Sequence, residues 1–300
     1  MDRWKVNLSL RNKIGLSLAL LMLFISACAP STAKVNYTEK TYPFKHFLIL
    51  EYHLIGRPEA RWRRTPENFK RDLQWLYGNN FYPMNLRDIL TGFKGLPQGK
   101  IPVVLTFDDS SSSQFRYLPD GKIDPDCGVG VMKAFHDEHP KDWPMRGTFF
   151  VLIQTNNPDR NLFGQTDLQP LLDWGLEIGS HTYSHERLSD ISPKAARYAL
   201  ARSSYYLENL TGQKIVSLAT PMGLYPDDDA VFSGKYQKID YDYKLVCKVG
   251  GGPQVVPSSP KFRPLHLNRT QAIESEWDMI KKFFAKKCPA SGGIPPHTII

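Results

Sequence analysis

Two apolar runs, at residues 101–107 and 147–153, constrain the fold more than any other feature of this chain. Each is short and rich in Val, Ile, Leu and Phe, with little polar alternation. Runs of that kind are strands covered on both faces. Further strand patterns fall at 46–53, 176–179, 216–219 and 243–246. Helical patterns lie between them. Thr65 can cap, Pro66 suits a first turn, and Phe69, Leu73, Leu76 and Tyr77 follow at helical spacing until Gly78-Asn79-Asn80. Other helical stretches fall at 86–90, 128–139, 168–174, 193–210 and 274–283. Strands that alternate with helices predict an α/β chain with parallel strands, as a barrel or an open sheet. No internal repeat and no clear inter-domain linker divides it.

The amino terminus reads as an export signal. Arg3, Lys5, Arg11 and Lys13 precede an apolar run from Ile14 to Ile25, then Ser26-Ala27-Cys28. The run is too short for an ordinary spanning helix. A cysteine after small residues resembles the bacterial lipoprotein signal, in which Cys28 becomes the lipidated first residue. A plain signal peptide and an uncleaved anchor are the other readings. The expected layout is a signal peptide at 1–27, a polar tether at 28–42, one folded domain at 43–285 and a loose tail at 286–300. The formal charge is +8, of which the leader supplies +3. With no long basic tract, that surplus suits an anionic envelope at least as well as nucleic acid, and no nucleic-acid partner is expected. Cys127, Cys247 and Cys288 match no zinc module. One disulfide among them is open, with no pair preferred.

In α/β proteins, chemistry collects at the carboxyl ends of strands. Three polar clusters sit there: Asp108-Asp109, His181 with His185, and Thr220-Pro221-Met222-Gly223. Histidines four apart on a helical turn face one side and can share a metal ion. A third ligand and water would complete an open catalytic site. Alone, the two histidines are equally at home on a surface, and the paired aspartates can cap a turn or a helix.

Read together, Thr106-Phe107-Asp108-Asp109, His181-Thr182-Tyr183-Ser184-His185 and Ala219-Thr220-Pro221-Met222-Gly223 resemble the polysaccharide deacetylases with a nodulation-protein-B-like catalytic domain (carbohydrate esterase family 4). The resemblance runs from about Pro43 to Ile280. Tyr52-His53 and residues 65–90 are similar to extracytoplasmic members acting on poly-N-acetylglucosamine or cell wall. The resemblance implies a distorted, incomplete (β/α) barrel. It also implies removal of acetyl groups from N-acetylated sugars with a divalent metal, most often zinc. By position, Asp109, His181 and His185 would be the metal ligands and Asp108 the general base. Tyr183, Pro221, Gly223 and Tyr225 would line the substrate groove, and a backbone N–H near Tyr183 or Pro221 would face the oxyanion.

The sequence departs from the family pattern in three places. Ser110 stands where glycine often follows the aspartates. Ala219 stands where an arginine often orients the base, leaving Arg263 as a candidate. The resemblance offers His266, in Leu265-His266-Leu267, as the proton donor, against a strand histidine that only satisfies local polar groups, and residues 262–269 equally resemble a branch that carries arginine there; His53 is a second candidate for the groove. The stretch from Ser110 to Met132 is either a groove wall or a solvated loop. The expected activity is metal-dependent N-deacetylation of an N-acetylglucosamine polymer, peptidoglycan or exopolysaccharide. The expected place is the bacterial cell envelope, on a lipid anchor in the membrane. The alternative is a non-catalytic envelope glycan-binding lipoprotein with a degenerate deacetylase domain.

Overall fold

A computed structural model describes residues 40–155 and 168–285. The leader at 1–27, Cys28, all but the end of the 28–42 tether, Cys288 and the 286–300 tail lie outside the described residues. In chain order the elements are β1 (His46–Tyr52), β2 (Leu54–Ile55), β3 (Arg63–Arg64), α1 (Pro66–Gly78), β4 (Phe81–Met84) and a 3-10 turn at Leu86–Thr91. Then come β5 (Ile101–Phe107), α2 (Gly128–Glu138), β6 (Thr148–Val151), α3 (Gln169–Asp173), β7 (Glu177–Ser180), α4 (Pro193–Thr211) and β8 (Ser217–Ala219). A hairpin of β9 (Ser233–Tyr236) and β10 (Ile239–Asp242) precedes β11 (Leu245–Gly251), β12 (Gln254–Val255), β13 (Leu267–Gln271) and α5 (Glu274–Ala285).

Helix starts follow their caps. Thr65 accepts the Asn68 N–H at 3.2 Å, and Ser192 accepts that of Ala195 at 3.3 Å. Proline occupies the first turn in both helices, where its missing N–H costs nothing.

Parallel pairing runs from β1 to β5, β6, β7, β8, β11, β13 and back to β1, so the sheet closes on itself. Closure excludes the open sheet. The ring is irregular: β7 and β8 meet only at Ser180 and Leu218, and the β11–β13 register shifts between Cys247 and Gly251. β4 flanks the first half of β5, and β12 adds antiparallel to β1. This is the distorted, incomplete barrel that the resemblance implies.

Strand alternation sorts the residues between two cores. Leu48, Leu50, Val103, Leu105, Phe149, Ile178 and Leu218 face the helices. Phe47, Ile49, Val104, Phe150, Ala219, Cys247 and Leu267 pack in the second cluster, inside the barrel. Continuing the inward parity up each strand reaches Glu51, Thr106, Arg269, Asp108 and His181. The site therefore stands on the barrel interior as its last polar layers. Cys127 and Cys247 are buried free thiols, so the open disulfide does not join them.

Buried Glu177 ties the lower barrel together. It accepts the Ser217 hydroxyl at 2.6 Å, the Thr148 hydroxyl at 2.8 Å and the Arg87 N–H at 2.9 Å. Glu177→Ala strips all three donors of their partner and is expected to cost about 2–3 kcal/mol. Urea denaturation checks this, and a shift under half of that would deny Glu177 the role.

Candidate metal centre and cavity

Asp109, His181 and His185 converge from two strand ends. Asp109 follows β5, and His181 directly follows β7. Their ligand-capable atoms, one from each residue, all lie within 4.8 Å of one another. His181 Nε2 is 3.5 Å and His185 Nε2 3.2 Å from Asp109 Oδ1. Donors around a tetrahedral ion bound at about 2.0–2.1 Å stand about 3.3 Å apart, so the spacing fits such an ion. His181 Nδ1 donates to the Ala219 carbonyl at 2.9 Å, which leaves Nε2 as the free lone pair for a metal. These three residues form a group able to hold a divalent ion.

The histidines do not ride on a helical turn as their spacing predicts. Thr182 and His185 have left-handed φ of 67° and 65°, and the intervening turn brings the rings to 5.1 Å. Asp109 (φ 76°), Ser110 (φ 54°) and Met222 (φ 58°) are also left-handed. Residues with side chains adopt that region at a cost of about 1–2 kcal/mol, and here all three site loops use it. Ser110 shows how a non-glycine is held there. Its hydroxyl accepts the Leu152 N–H at 2.8 Å and pins the loop to the end of β6. A glycine would lack that bond.

Asp108 faces inward, nearly inaccessible, with Arg269 as its partner. The guanidinium donates to both carboxylate oxygens at 2.7 Å. It also donates to the Thr106 hydroxyl at 3.2 Å and the Lys248 carbonyl at 2.7 Å. Burial alone would raise the Asp108 pKa, but the Arg269 charge outweighs it and holds the carboxyl below its usual value. Asp109 behaves likewise: burial opposes ionisation, and the two imidazoles bring it well below the carboxylate range. Burial also disfavours the His181 cation, yet the charges of Asp108 and Asp109 raise its pKa.

Glu51, inaccessible in β1, lies 3.6 Å from Arg269 Nε and accepts the Gly250 N–H at 3.3 Å. Burial pushes it up to about 7. Its other oxygen is 3.9 Å from His53 Nε2. Glu51, His53 and Asp108 also meet the spacing of a ligand group. Arg269 already pairs with both of its carboxylates, so a cation there would face a fixed positive charge.

A cavity of about 860 Å³ opens above these groups. Asp108, Asp109, His181, His185 and His53 line it, with Trp62 and Met222 on its walls. His53 packs against Trp62 at 4.6 Å between ring centres. Burial lowers the His53 pKa, against the opposing charges of Asp108 and Asp109.

Several expected positions fall elsewhere. Arg263 does not reach Asp108; it donates to the Pro260 and Phe262 carbonyls at 2.9 and 3.0 Å. It precedes β13, at the end of that strand remote from the site. His266 also precedes β13. Its Nε2–H donates to Asp229 at 2.8 Å, its ring stacks on Tyr225, and it does not line the cavity. Tyr225 donates to the Val246 carbonyl at 3.2 Å rather than walling the groove. The Tyr183 side chain turns to Arg202, Tyr198 and Tyr206, while its carbonyl accepts the Gln154 N–H at 2.8 Å. Pro221 is buried. Gly223 (φ 69°) passes so close to Val249 that a Cβ would sit 3.0 Å from it. Between them, Met222 carries the wall. The Ser110–Met132 stretch divides: Ser111 to Ser113 and Arg116 line the cavity, and Phe115 is fully buried.

Neither Arg269 nor Glu51 belongs to the motifs that mark the site in the sequence; the signal each carries is a charge set inside a strand-like run at inward parity.

The family model described as polysaccharide deacetylase matches residues 140–237, which include His181 and His185. YxkH of Bacillus subtilis (strain 168), which carries a polysaccharide deacetylase designation, is 23% identical over 186 residues. That match covers 60% of this chain and 58% of YxkH. The Streptococcus pyogenes deacetylase PplD, solved in complex with acetate, is 21% identical with a TM-score of 0.58, over 79% of this chain and 97% of PplD. IcaB from Ammonifex degensii is 20% identical with a TM-score of 0.58, over 80% of this chain and 97% of its own. At such identities these two structures share the fold. In its barrel and in the family match over 140–237, the chain is similar to the polysaccharide deacetylases.

Proposed function

We propose that this protein hydrolyses N-acetyl groups on an N-acetylglucosamine-containing polysaccharide of the cell wall or extracellular matrix. The observation that carries the reading is the division of labour between adjacent aspartates. Asp109 faces two histidines, and Asp108 is held ionised by Arg269 at the floor of the same cavity. Asp109, His181 and His185 would hold a divalent ion, zinc by its donor set, which when bound would supply Lewis acidity and lower the pKa of water. Asp108 takes the proton of the attacking water. Arg269 grips both Asp108 oxygens, which keeps the base charged and fixes its direction. The proton that Asp108 takes from water passes by way of His53, which lines the same cavity, to the amine as the amide C–N bond breaks, and acetate and free glucosamine leave. The arginine that Ala219 lacks is supplied from β13, which supports a working site over a degenerate one. Export and a lipid anchor at Cys28 would set the enzyme beside its polymer in the cell envelope. Among the described residues, no helix is long and apolar enough to cross a membrane.

Acetate release from peptidoglycan, chitooligosaccharides and poly-N-acetylglucosamine, with and without chelator, tests the reading. Chelation is expected to abolish release and added zinc to restore it. His181→Ala and His185→Ala should each abolish stoichiometric metal binding in elemental analysis. Acid should also strip the metal, because the raised His181 pKa makes protons strong competitors for the ring. Metal content unaffected by either substitution would remove the site.

The proton donor has its own test. His53→Gln is expected to lower kcat about 100-fold, while His266→Gln, whose ring faces Asp229, should stay near wild type. The reverse order would restore His266 as the acid.

A further inference from the structure

From the charges that line the cavity, we infer that the site selects N-acetylated glycans carrying an anionic substituent, a carboxylate or a phosphate, held by Arg61 and Arg63. The inference rests on the deacetylase reading for its acetamide and on the cavity alone for its anion.

One wall of the cavity comes from the segment between β2 and β3 and from the first residue of β3. Arg61, Trp62 and Arg63 all line it. Arg61 is exposed, Trp62 is 39% exposed, and Arg63 is half-buried. Among the described residues, neither Arg61 nor Arg63 has a carboxylate within ion-pair distance. Their neighbours are committed elsewhere. Arg64 is buried and takes Asp72 at 2.6 Å, Glu59 at 2.8 Å and Glu274 at 3.0 Å. Arg57 takes Glu67 and Asp126. Arg116, also on the cavity, is neutralised by Asp124 at 2.7 Å.

The acidic side of the balance is spent as well. Asp108 and Asp109 are the only carboxylate residues among the described lining. Arg269 neutralises the first, and a divalent ion would more than offset the second. The cavity therefore keeps two uncompensated guanidinium charges beside its floor. Leaving such charges at the mouth of a pocket built for an uncharged polymer gains nothing in binding. For a carboxylate or phosphate they offer forked, charge-assisted hydrogen bonds.

The segment is also built to hold its shape. The Arg61 guanidinium lies over the Trp62 ring at 5.0 Å, and Trp62 packs on His53. Backbone bonds join Ala60 to Arg63 at 2.9 and 3.0 Å and Leu54 to Trp62 at 2.9 Å. The Arg64–Asp72 pair fastens its end to α1. The arginines stand on a braced strand pair, with less ordering entropy to lose on binding.

The test compares three N-acetylglucosamine oligomers of equal length. One is neutral, one alternates with lactyl-bearing N-acetylmuramic acid, and one carries phosphodiester groups. Acetate release gives kcat/KM, and calorimetry gives affinity. The expected result is that at least one anionic oligomer exceeds the neutral one by about ten- to a hundredfold in both readouts. The arm that does so identifies the anion. Raising salt from about 0.05 to 0.5 M should erode the ratio, because the Debye length shortens. Arg61→Gln with Arg63→Gln should bring the ratio toward unity, and Arg61→Gln alone should bring it partway. Equal kcat/KM for neutral and anionic oligomers would overturn the inference and leave the deacetylase reading intact. Selective, arginine-dependent binding of an anionic oligomer without acetate release from any of them would do the opposite.

Discussion

Asp108→Asn is expected to keep its metal and lose about 10²–10⁴ in kcat. The ligand set is untouched, since Asp109, His181 and His185 meet one another without Asp108. What changes is the charge at the floor of the cavity. The carboxylate accepts two guanidinium N–H groups, and its ionised form is the form Arg269 favours. An amide of nearly the same shape still fills the space but takes no proton from water. It also turns an NH₂ toward Arg269 or toward the cavity, so one charge-assisted bond is lost. A stability loss of about 1–3 kcal/mol should accompany the loss of rate. Elemental analysis, single-turnover acetate release and urea denaturation on the same preparation separate these effects. Turnover at the wild-type rate in a metal-loaded Asp108→Asn protein would remove Asp108 as the base.

Much of the fold is legible because its strands are covered on both faces. Residues 101–107 contain no alternation to misread, and β5 occupies that whole span. The capped helices are equally plain, as α1 and α4 begin at their Thr65 and Ser192 caps. β4 and β13 are harder. β4 is four residues with a proline inside, tolerated where it flanks only the first half of β5. β13 reads Leu-Asn-Arg-Thr-Gln, a composition that propensity assigns to a loop. Its polar residues are paid for by partners on other strands: Asp108 for Arg269 and the Gln254 side chain for the Asn268 N–H. Such partners are tertiary facts, invisible to a local pattern.

The same division holds at the site. The candidate metal triad is legible through the resemblance of three motifs taken in order, whereas the spacing of the histidines alone leaves it open. The residues that tune it are not legible in that way. Arg263 and Arg269 are six apart in one polar segment, and only the strand direction tells them apart. Leu265-His266-Leu267 has the local form of a donor motif, yet the histidine stops short of β13 and turns to Asp229. Met222 takes the wall position because left-handed backbone at Met222 and Gly223 turns the loop outward. His53 is legible as a polar tip just beyond β1 and as a candidate for the groove, but its packing against Trp62 and its approach to Glu51 are not.

Arg269→Met should be the most destabilising single change at the site, by about 3–5 kcal/mol. The methionine fills much of the same space inside the barrel, so packing loss is the smaller part. The larger part is charge. Asp108 and Glu51 are both essentially inaccessible, and Arg269 is the cation each of them faces. Without it, two carboxylates share a low-dielectric interior and at least one must take a proton. The pH dependence gives the mechanism away. In the wild type, folding lowers the Asp108 pKa below the ordinary value of 3.8. The unfolded chain thus binds more protons than the folded one in that range, and stability rises with pH there. The contribution is complete above 3.8 and is lost as pH falls through the lower folded value. In Arg269→Met the sign reverses: burial raises the carboxyl pKa, so acid relieves the folded state by neutralising it. The stability gap between the two proteins should therefore be widest near neutral pH and narrow on acidification. Urea denaturation across the acid range measures it. A gap that stays constant with pH would mean the arginine contributes packing alone, and Asp108 would have to draw its ionisation from the metal centre.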